Sequence, residues 1–93
     1  MDTRPVAWDE YNRRHLIDDH PERGLSIEEV EQAMFDEQRV EADVQRPDGT
    51  YYSVLGRTES GRLLYIAYVI TPDGRYPVHA RQAGRRLSRR YLQ

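Results

Sequence analysis

Residues 63–70 read Leu-Leu-Tyr-Ile-Ala-Tyr-Val-Ile, and this segment decides the fold. Apolar side chains occupy both of its alternating faces, as in a central β-strand that is covered on both sides. Three turn signals punctuate the surrounding chain: Pro47-Asp48-Gly49, Glu59-Ser60-Gly61 and Pro72-Asp73-Gly74. Together they predict an antiparallel meander with strands near residues 39–45, 50–57, 62–70 and 75–80.

Helical patterns flank the strands. Asp9 can cap a helix over residues 10–19, and a capping box at Ser26 and Glu29 opens an amphipathic helix over 27–36. After Arg81, apolar residues repeat every four positions and predict a C-terminal helix with one apolar seam.

A weak first strand at Pro5-Val6-Ala7-Trp8 completes the order β-α-α-β-β-β-β-α. The predicted fold class is α+β, with an antiparallel sheet packed against two N-terminal helices and one C-terminal helix.

Length and composition narrow the class of protein. A chain of 93 residues forms one domain, residues 1–93, because it can close only one hydrophobic core. It contains no cysteine, which excludes disulfides and thiolate metal sites and suits the cytoplasm. No apolar run approaches a membrane span, and the N-terminus lacks a signal-peptide pattern, so we expect a soluble cytoplasmic protein.

The net charge of -2 conceals an uneven distribution. Residues 1–54 contain six arginines and fourteen acidic residues, whereas residues 55–93 contain eight arginines and two acidic residues. The acidic half suits a basic partner and the basic half suits phosphates. Two solvated faces of opposite charge are the alternative interpretation.

The last predicted strand provides the main candidate site. In it Arg75, Pro77, His79 and Arg81 share one parity, while Tyr76, Val78 and Ala80 share the other and can enter the core. Two guanidinium groups would then flank an imidazole. This set of side chains could catalyse RNA cleavage, which needs a proton acceptor, a proton donor and cations that stabilise the negative charge of the phosphorane. An ordinary polar strand face is the alternative.

Other side chains are candidates for supporting roles. Arg57 and Arg62 border a turn and could reach the same face or rim, and Tyr68 is a candidate for a polar role. The C-terminal helix carries a basic face that could contact phosphates or simply be solvated: Arg85, Arg86, Arg89 and Arg90.

His15 and His20 look at first like metal ligands. On an α-helix, however, side chains at i and i+5 diverge by about 140°, so we expect no metal site there and no metal cofactor. A helix-end role satisfied by a cap is expected for His20, and Trp8 is expected in the core.

The chain resembles the BrnT family of bacterial toxins over nearly its whole length. The matching segments are Trp8-Asp9 with Asn12 and His20, Ser26-Ile27-Glu28-Glu29-Val30, Gly56-Arg57-Thr58, Gly61-Arg62-Leu63-Leu64 with Tyr68, and Ala80-Arg81-Gln82-Ala83 with Tyr91. The resemblance implies a RelE-like fold, metal-independent RNA cleavage that inhibits translation and growth, and a ribbon-helix-helix antitoxin, BrnA-like, in a hetero-oligomer. It also implies roles for Arg57, Arg62, Tyr68 and Arg81.

Three departures distinguish the chain from the family pattern. The loop Pro21-Glu22-Arg23 is inserted, Asp19 replaces a lysine, and Leu87 replaces a glutamate in the last helix. A proton-transfer role of that glutamate would be missing here. The alternative function is therefore an inactive module that only binds an antitoxin or nucleic acid.

Overall fold

The structure is a computed structural model that describes residues 2–92. Its elements are α1 (Glu10–Arg13), a π-helical segment (Arg14–Asp18), a 3-10 turn (Pro21–Arg23), α2 (Ile27–Met34), β1 (Val40–Arg46), β2 (Gly49–Arg57), β3 (Leu63–Thr71), β4 (Gly74–Gln82) and α3 (Arg85–Tyr91). The four strands form one antiparallel sheet in the order β1-β2-β3-β4. The predicted α+β class is confirmed: two helical regions precede the sheet and one helix follows it.

The N-terminal segment lies beside β4 instead of forming a full strand. Val6 makes a parallel bridge to Arg75, in which Ala7 N donates to Arg75 O at 2.7 Å and Arg75 N donates to Pro5 O at 2.8 Å. Within residues 2–92 the predicted first strand is thus reduced to this bridge. The bridge supplies backbone partners to the beginning of β4, on the edge of that strand that β3 leaves free.

The core lies between α2, the π-helical segment and one face of the sheet. Its buried members are Leu16, Leu25, Val30, Ala33, Met34, Val54, Leu64, Ile66, Tyr68 and Ala80. Trp8 packs against this core, as predicted, and its indole Nε1 donates to Glu31 Oε2 at 2.8 Å. At Gly56 the backbones of β2 and α2 come so close that a Cβ atom would overlap the carbonyl of Ala33. This close contact fixes α2 on the sheet.

The start of α2 differs in one respect from the predicted capping box. Glu29 N donates to Ser26 Oγ at 3.2 Å, which is the expected N-cap bond. The Glu29 carboxylate, however, binds Arg62 Nη1 at 3.0 Å. The cap is therefore combined with an ion pair that links α2 to the turn before β3.

Candidate active site

The sheet face opposite α2 carries the polar and aromatic side chains of interest, and we call it the open face. Its members alternate along β2, β3 and β4 with the core residues: Tyr51, Tyr65, Ala67, Val69, His79 and Arg81. A groove of about 470 Å³ crosses this face, and its lining includes Tyr51, Tyr65 and His79.

His79, Tyr65 and Arg81 lie together on the open face, where β3 pairs with the outer strand β4. The imidazole and phenol centroids are 6.3 Å apart with the ring planes at 61°. The guanidinium carbon of Arg81 lies 5.0 Å from the centroid of the Tyr65 ring. Strand pairing produces this arrangement. Tyr65 pairs with Arg81, and the residues two positions away on each strand, Ala67 and His79, also pair, so these side chains lie on the same face.

The protonation state of His79 suits a proton acceptor. Partial burial lowers the pKa of His79 below its ordinary value of 6.5, and the positive charges of Arg23 and Arg81 lower this pKa further. His79 is therefore neutral near pH 7. A neutral imidazole in a groove beside a guanidinium group can take a proton from a hydroxyl whose negative charge the guanidinium then stabilises.

The predicted grouping of Arg75 with His79 and Arg81 is wrong. Ala67 pairs with His79 but Tyr68 pairs with Pro77, so Val78 is a bulge residue and reverses the alternation of β4. Arg75 and Pro77 are consequently buried on the core face. Val78, which was expected in the core, is 37% exposed.

Arg75 is a structural residue at the end of α2, and its side chain is fully buried at 0% exposure. Its Nε donates to Arg4 O at 2.9 Å and its Nη1 donates to Met34 O at 3.0 Å. The guanidinium carbon also lies 4.6 Å from the centroid of the Phe35 ring. Arg75 is therefore inaccessible to RNA, contrary to its predicted binding role.

Tyr68 is also on the core face, at 2% exposure. Its hydroxyl donates to Glu41 Oε1 at 3.3 Å. Burial, followed by the negative charge of Glu41, raises the pKa of Tyr68 to about 12. The structure confirms a polar contact for Tyr68 but separates this residue from His79.

Arg57 and Arg62 do not come together. The Arg62 side chain donates to Glu29 and to two carbonyls of the preceding loop, at 2.8 Å to Gly24 O and 2.9 Å to Arg23 O. The Arg57 guanidinium carbon instead lies 4.9 Å from the centroid of the Tyr91 ring, at the exposed end of β2. Arg62 therefore fastens the inserted loop, while Arg57 contacts α3.

The basic face predicted for the C-terminal helix is present, but the predicted apolar seam of Ala83, Leu87 and Tyr91 is shortened to its last two members, because Ala83 lies outside the helix. Arg85, Arg86, Arg89 and Arg90 are exposed, and Leu87 and Tyr91 are partly buried. Tyr91 OH donates to Asp36 Oδ2 at 2.6 Å, which attaches the end of α3 next to β2. The helix begins only at Arg85, because Ala83 N still donates to Leu63 O at 2.8 Å and extends the sheet.

Two parts of this region were missed in the sequence. Tyr65 stands within the apolar run 63–70 and was not singled out, although it is the aromatic neighbour of both His79 and Arg81. The guanidinium carbon of Arg46 lies 4.9 Å from the Tyr51 centroid and forms a second arginine–tyrosine pair beside the groove. The Pro47-Asp48-Gly49 turn signal between them predicts a hairpin and so could have indicated this pair.

The predicted divergence of His15 and His20 is also wrong. Their ring centroids are 5.8 Å apart, with the planes at 78°. The cause is the π-helical segment, in which Asp19 N donates to Arg14 O at 2.8 Å, an i to i+5 bond. His20 receives no cap bond; its Nδ1 lies 3.1 Å from Glu22 Oε2.

No protein-family model matches this chain, and no curated protein sequence matches it. In the described part of the chain, no helix has the length and apolarity needed to cross a membrane. Across residues 2–92 we also find no group of three His, Asp or Glu side chains placed to hold a metal ion. The candidate site is accordingly defined by the geometry of the open face.

Proposed function

We propose that this protein is a ribonuclease toxin that cuts RNA without a metal ion and is neutralised by a ribbon-helix-helix antitoxin. The observation that carries the proposal is the placement of His79 beside Tyr65 and Arg81 on an accessible sheet face. The α+β architecture and the resemblance of the sequence to the BrnT family support the same function.

The chemistry available on the open face is that of RNA cleavage by its own 2′-hydroxyl. His79, neutral near pH 7, accepts the proton of the 2′-hydroxyl as its oxygen forms a bond to phosphorus. The bond from phosphorus to the 5′-oxygen breaks, and that oxygen takes a proton from water, so the products are a 2′,3′-cyclic phosphate and a 5′-hydroxyl. Arg81 stabilises the negative charge that develops on the phosphorane oxygens. The Tyr65 ring offers a surface on which a neighbouring base can stack.

A second part of the proposal concerns how single-stranded RNA is held. The Arg46–Tyr51 pair lies at another part of the groove and combines a cation for phosphate with an aromatic ring for a base. The exposed arginines of α3 add positive charge at the other end of β2, where Arg57 contacts Tyr91. The antitoxin is expected to cover or distort this surface.

The alternative is a module that binds RNA or an antitoxin without cutting. It is favoured by the contacts of Arg62, Tyr68 and Arg75, which are engaged within the fold, so catalysis would depend on fewer groups than the sequence indicated. The arginine–tyrosine pairs of the open face would serve binding equally well.

The proposed function is tested by inducing the protein alone in bacteria and following growth and total RNA. We expect growth to stop and RNA fragments to accumulate, and co-expression of the antitoxin should restore growth. A matched culture that produces His79→Asn should grow normally. Normal growth with intact RNA in cells that contain folded wild-type protein would contradict the proposal.

The role of α3 can be measured by the salt dependence of RNA binding. Each phosphate contact to a single strand contributes about 0.7 logarithmic units to the slope of affinity against salt concentration. If Arg85 and Arg89 both contact phosphate, their joint replacement by Gln should reduce that slope by about 1.4 units. A folded double variant with an unchanged slope would place the RNA elsewhere, and the same variant should then be tested for lost antitoxin affinity.

A further inference from the structure

A second groove, of about 560 Å³, lies between the outer side of α2 and the turn that joins β2 to β3, and we call it the α2 groove. It shares no lining residue with the groove of the open face. One hydrogen bond holds the turn against the helix, because Glu59 N donates to Gln32 Oε1 at 3.0 Å. The two walls of the α2 groove are therefore fixed relative to each other.

An aromatic ring gives the α2 groove an apolar part. Phe35 is the C-cap residue of α2, and its side chain is 44% exposed although burial of a large apolar side chain is favourable. The guanidinium carbon of the fully buried Arg75 lies 4.6 Å from the centroid of the Phe35 ring. The ring is thus fixed from its buried side. A fixed and exposed ring can contact an apolar side chain of a partner at little cost in conformational entropy.

Carboxylates surround this ring. Glu28, Glu31 and Phe35 recur at i, i+3 and i+7 and therefore share one face of α2. Trp8 Nε1 donates to one oxygen of Glu31 at 2.8 Å, which fixes the position of that carboxylate. Glu59 adds a carboxylate from the turn. Like charges at i and i+3 are unfavourable in a free helix, and bound cationic side chains would relieve that cost.

Asp36 adds a further carboxylate and connects the α2 groove to α3. Its Oδ2 accepts hydrogen bonds from Arg57 N at 2.8 Å and from Tyr91 OH at 2.6 Å. Burial opposes ionisation of Asp36, but the hydrogen bonds from Tyr91, Gln38 and Arg57 outweigh burial and lower the pKa of Asp36. Among the described residues that line the groove, the carboxylates number four and the guanidinium groups one, that of Arg57. The α2 groove is therefore negatively charged.

We propose that the α2 groove is a docking surface for a basic amphipathic segment of a partner protein. An apolar side chain of that segment packs on Phe35, and its arginine or lysine side chains pair with Glu28 and Glu59. In the proposed toxin this partner is the antitoxin. That identification rests on the proposed function, whereas the chemistry of the groove does not.

Charge complementarity selects this occupant. Phosphates of RNA would meet four carboxylates in the α2 groove, so nucleic acid is disfavoured there. Three of the carboxylates come from the acidic half of the sequence, and Glu59 is one of only two acidic residues in the basic half. A partner in this groove also contacts Asp36, to which Tyr91 attaches α3. It could therefore act on the arginines of α3 without occupying the groove of the open face.

The test uses isotope-labelled protein and a short synthetic peptide that carries one leucine flanked by arginines at helical spacing. Binding is followed by chemical-shift changes in the absence of RNA. We expect the largest changes at the backbone amides of Gln32, Phe35 and Glu59, and little change at Tyr65 and His79. A peptide with alanine in place of leucine should bind about tenfold more weakly, and a peptide with glutamate in place of each arginine should not bind.

Two pairs of substitutions separate this surface from net charge. Glu28→Gln with Glu59→Gln should weaken binding of the leucine–arginine peptide about fivefold, because two exposed ion pairs are lost. The control, Glu10→Gln with Asp73→Asn, removes the same charge from other exposed positions and should change the affinity by less than about twofold. All four side chains are exposed, so both variants should keep the wild-type fold.

Equal weakening by the two pairs, or chemical-shift changes centred on the open face, would overturn the docking surface. So would an alanine peptide that binds as tightly as the leucine peptide. Because the titrations contain no RNA, a protein that fails to cleave RNA would still give the expected binding result. Failure of the peptide to bind would in turn leave the cleavage proposal to its own experiments.

Discussion

Replacement of His79 by Asn is expected to lower the rate of RNA cleavage by about 100- to 10,000-fold, the usual contribution of one general base. The reason is that His79 is the neutral imidazole of the open face, beside Arg81 and Tyr65. The measurement is single-turnover cleavage of a labelled single-stranded RNA. Because His79 lies outside the buried core, the melting temperature should change little.

The wild-type rate gives an independent check on this prediction. The pKa of His79 is lowered below 6.5, so the neutral form persists at moderately acidic pH and disappears only as pH falls through this lowered value. As the pH is lowered, the cleavage rate should therefore decline below pH 6.5 and not above it. A folded His79→Asn variant with more than a tenth of the wild-type rate would exclude His79 as the base.

Arg75→Ala is expected to destabilise the protein by about 2–5 kcal/mol, comparable to other large truncations in a core. The side chain is fully buried, and its loss would leave a cavity and two carbonyls, Arg4 O and Met34 O, without their donors. The measurement is the free energy of unfolding in urea.

An exposed arginine provides the matched control for Arg75→Ala. Arg85→Ala removes the same side chain from the surface of α3 and should change the free energy of unfolding by no more than about 0.5 kcal/mol. If Arg75→Ala were equally neutral and instead weakened RNA binding, the structural role of Arg75 would be wrong and its original assignment to the RNA site would stand.

The strands and α2 could be predicted because their signals are local. Turn residues such as Pro72-Asp73-Gly74 and the apolar run 63–70 fix where strands begin and end, and the observed bounds differ by only one or two residues. Ser26 places the start of α2 for the same reason, since an N-cap bond involves neighbours in the chain.

The site could be predicted only in part, because two irregularities depend on tertiary contacts. The bulge at Val78 reverses the alternation of β4, and Arg75 therefore lies in the core. An arginine in a strand ordinarily indicates a surface position, and the carbonyls that bind Arg75 come from Arg4 and Met34, which are distant in sequence.

The contact between His15 and His20 could not be predicted from the sequence either. Spacing alone gives the angle that an α-helix would put between His15 and His20, and that angle separates their side chains. The additional residue in the π-helical turn brings the two rings together instead. His79 and Arg81 were placed together correctly because they follow the bulge, where simple alternation applies again.

His79 and Arg81 should cleave RNA without a metal ion, and the decisive experiment is cleavage by purified protein in excess chelator. Wild-type protein is mixed with a labelled single-stranded RNA, and the ends of the fragments are analysed. We expect cleavage in chelator that yields 2′,3′-cyclic phosphate and 5′-hydroxyl ends and that disappears in His79→Asn. RNA that stays intact, or cleavage that requires an added divalent ion, would contradict it.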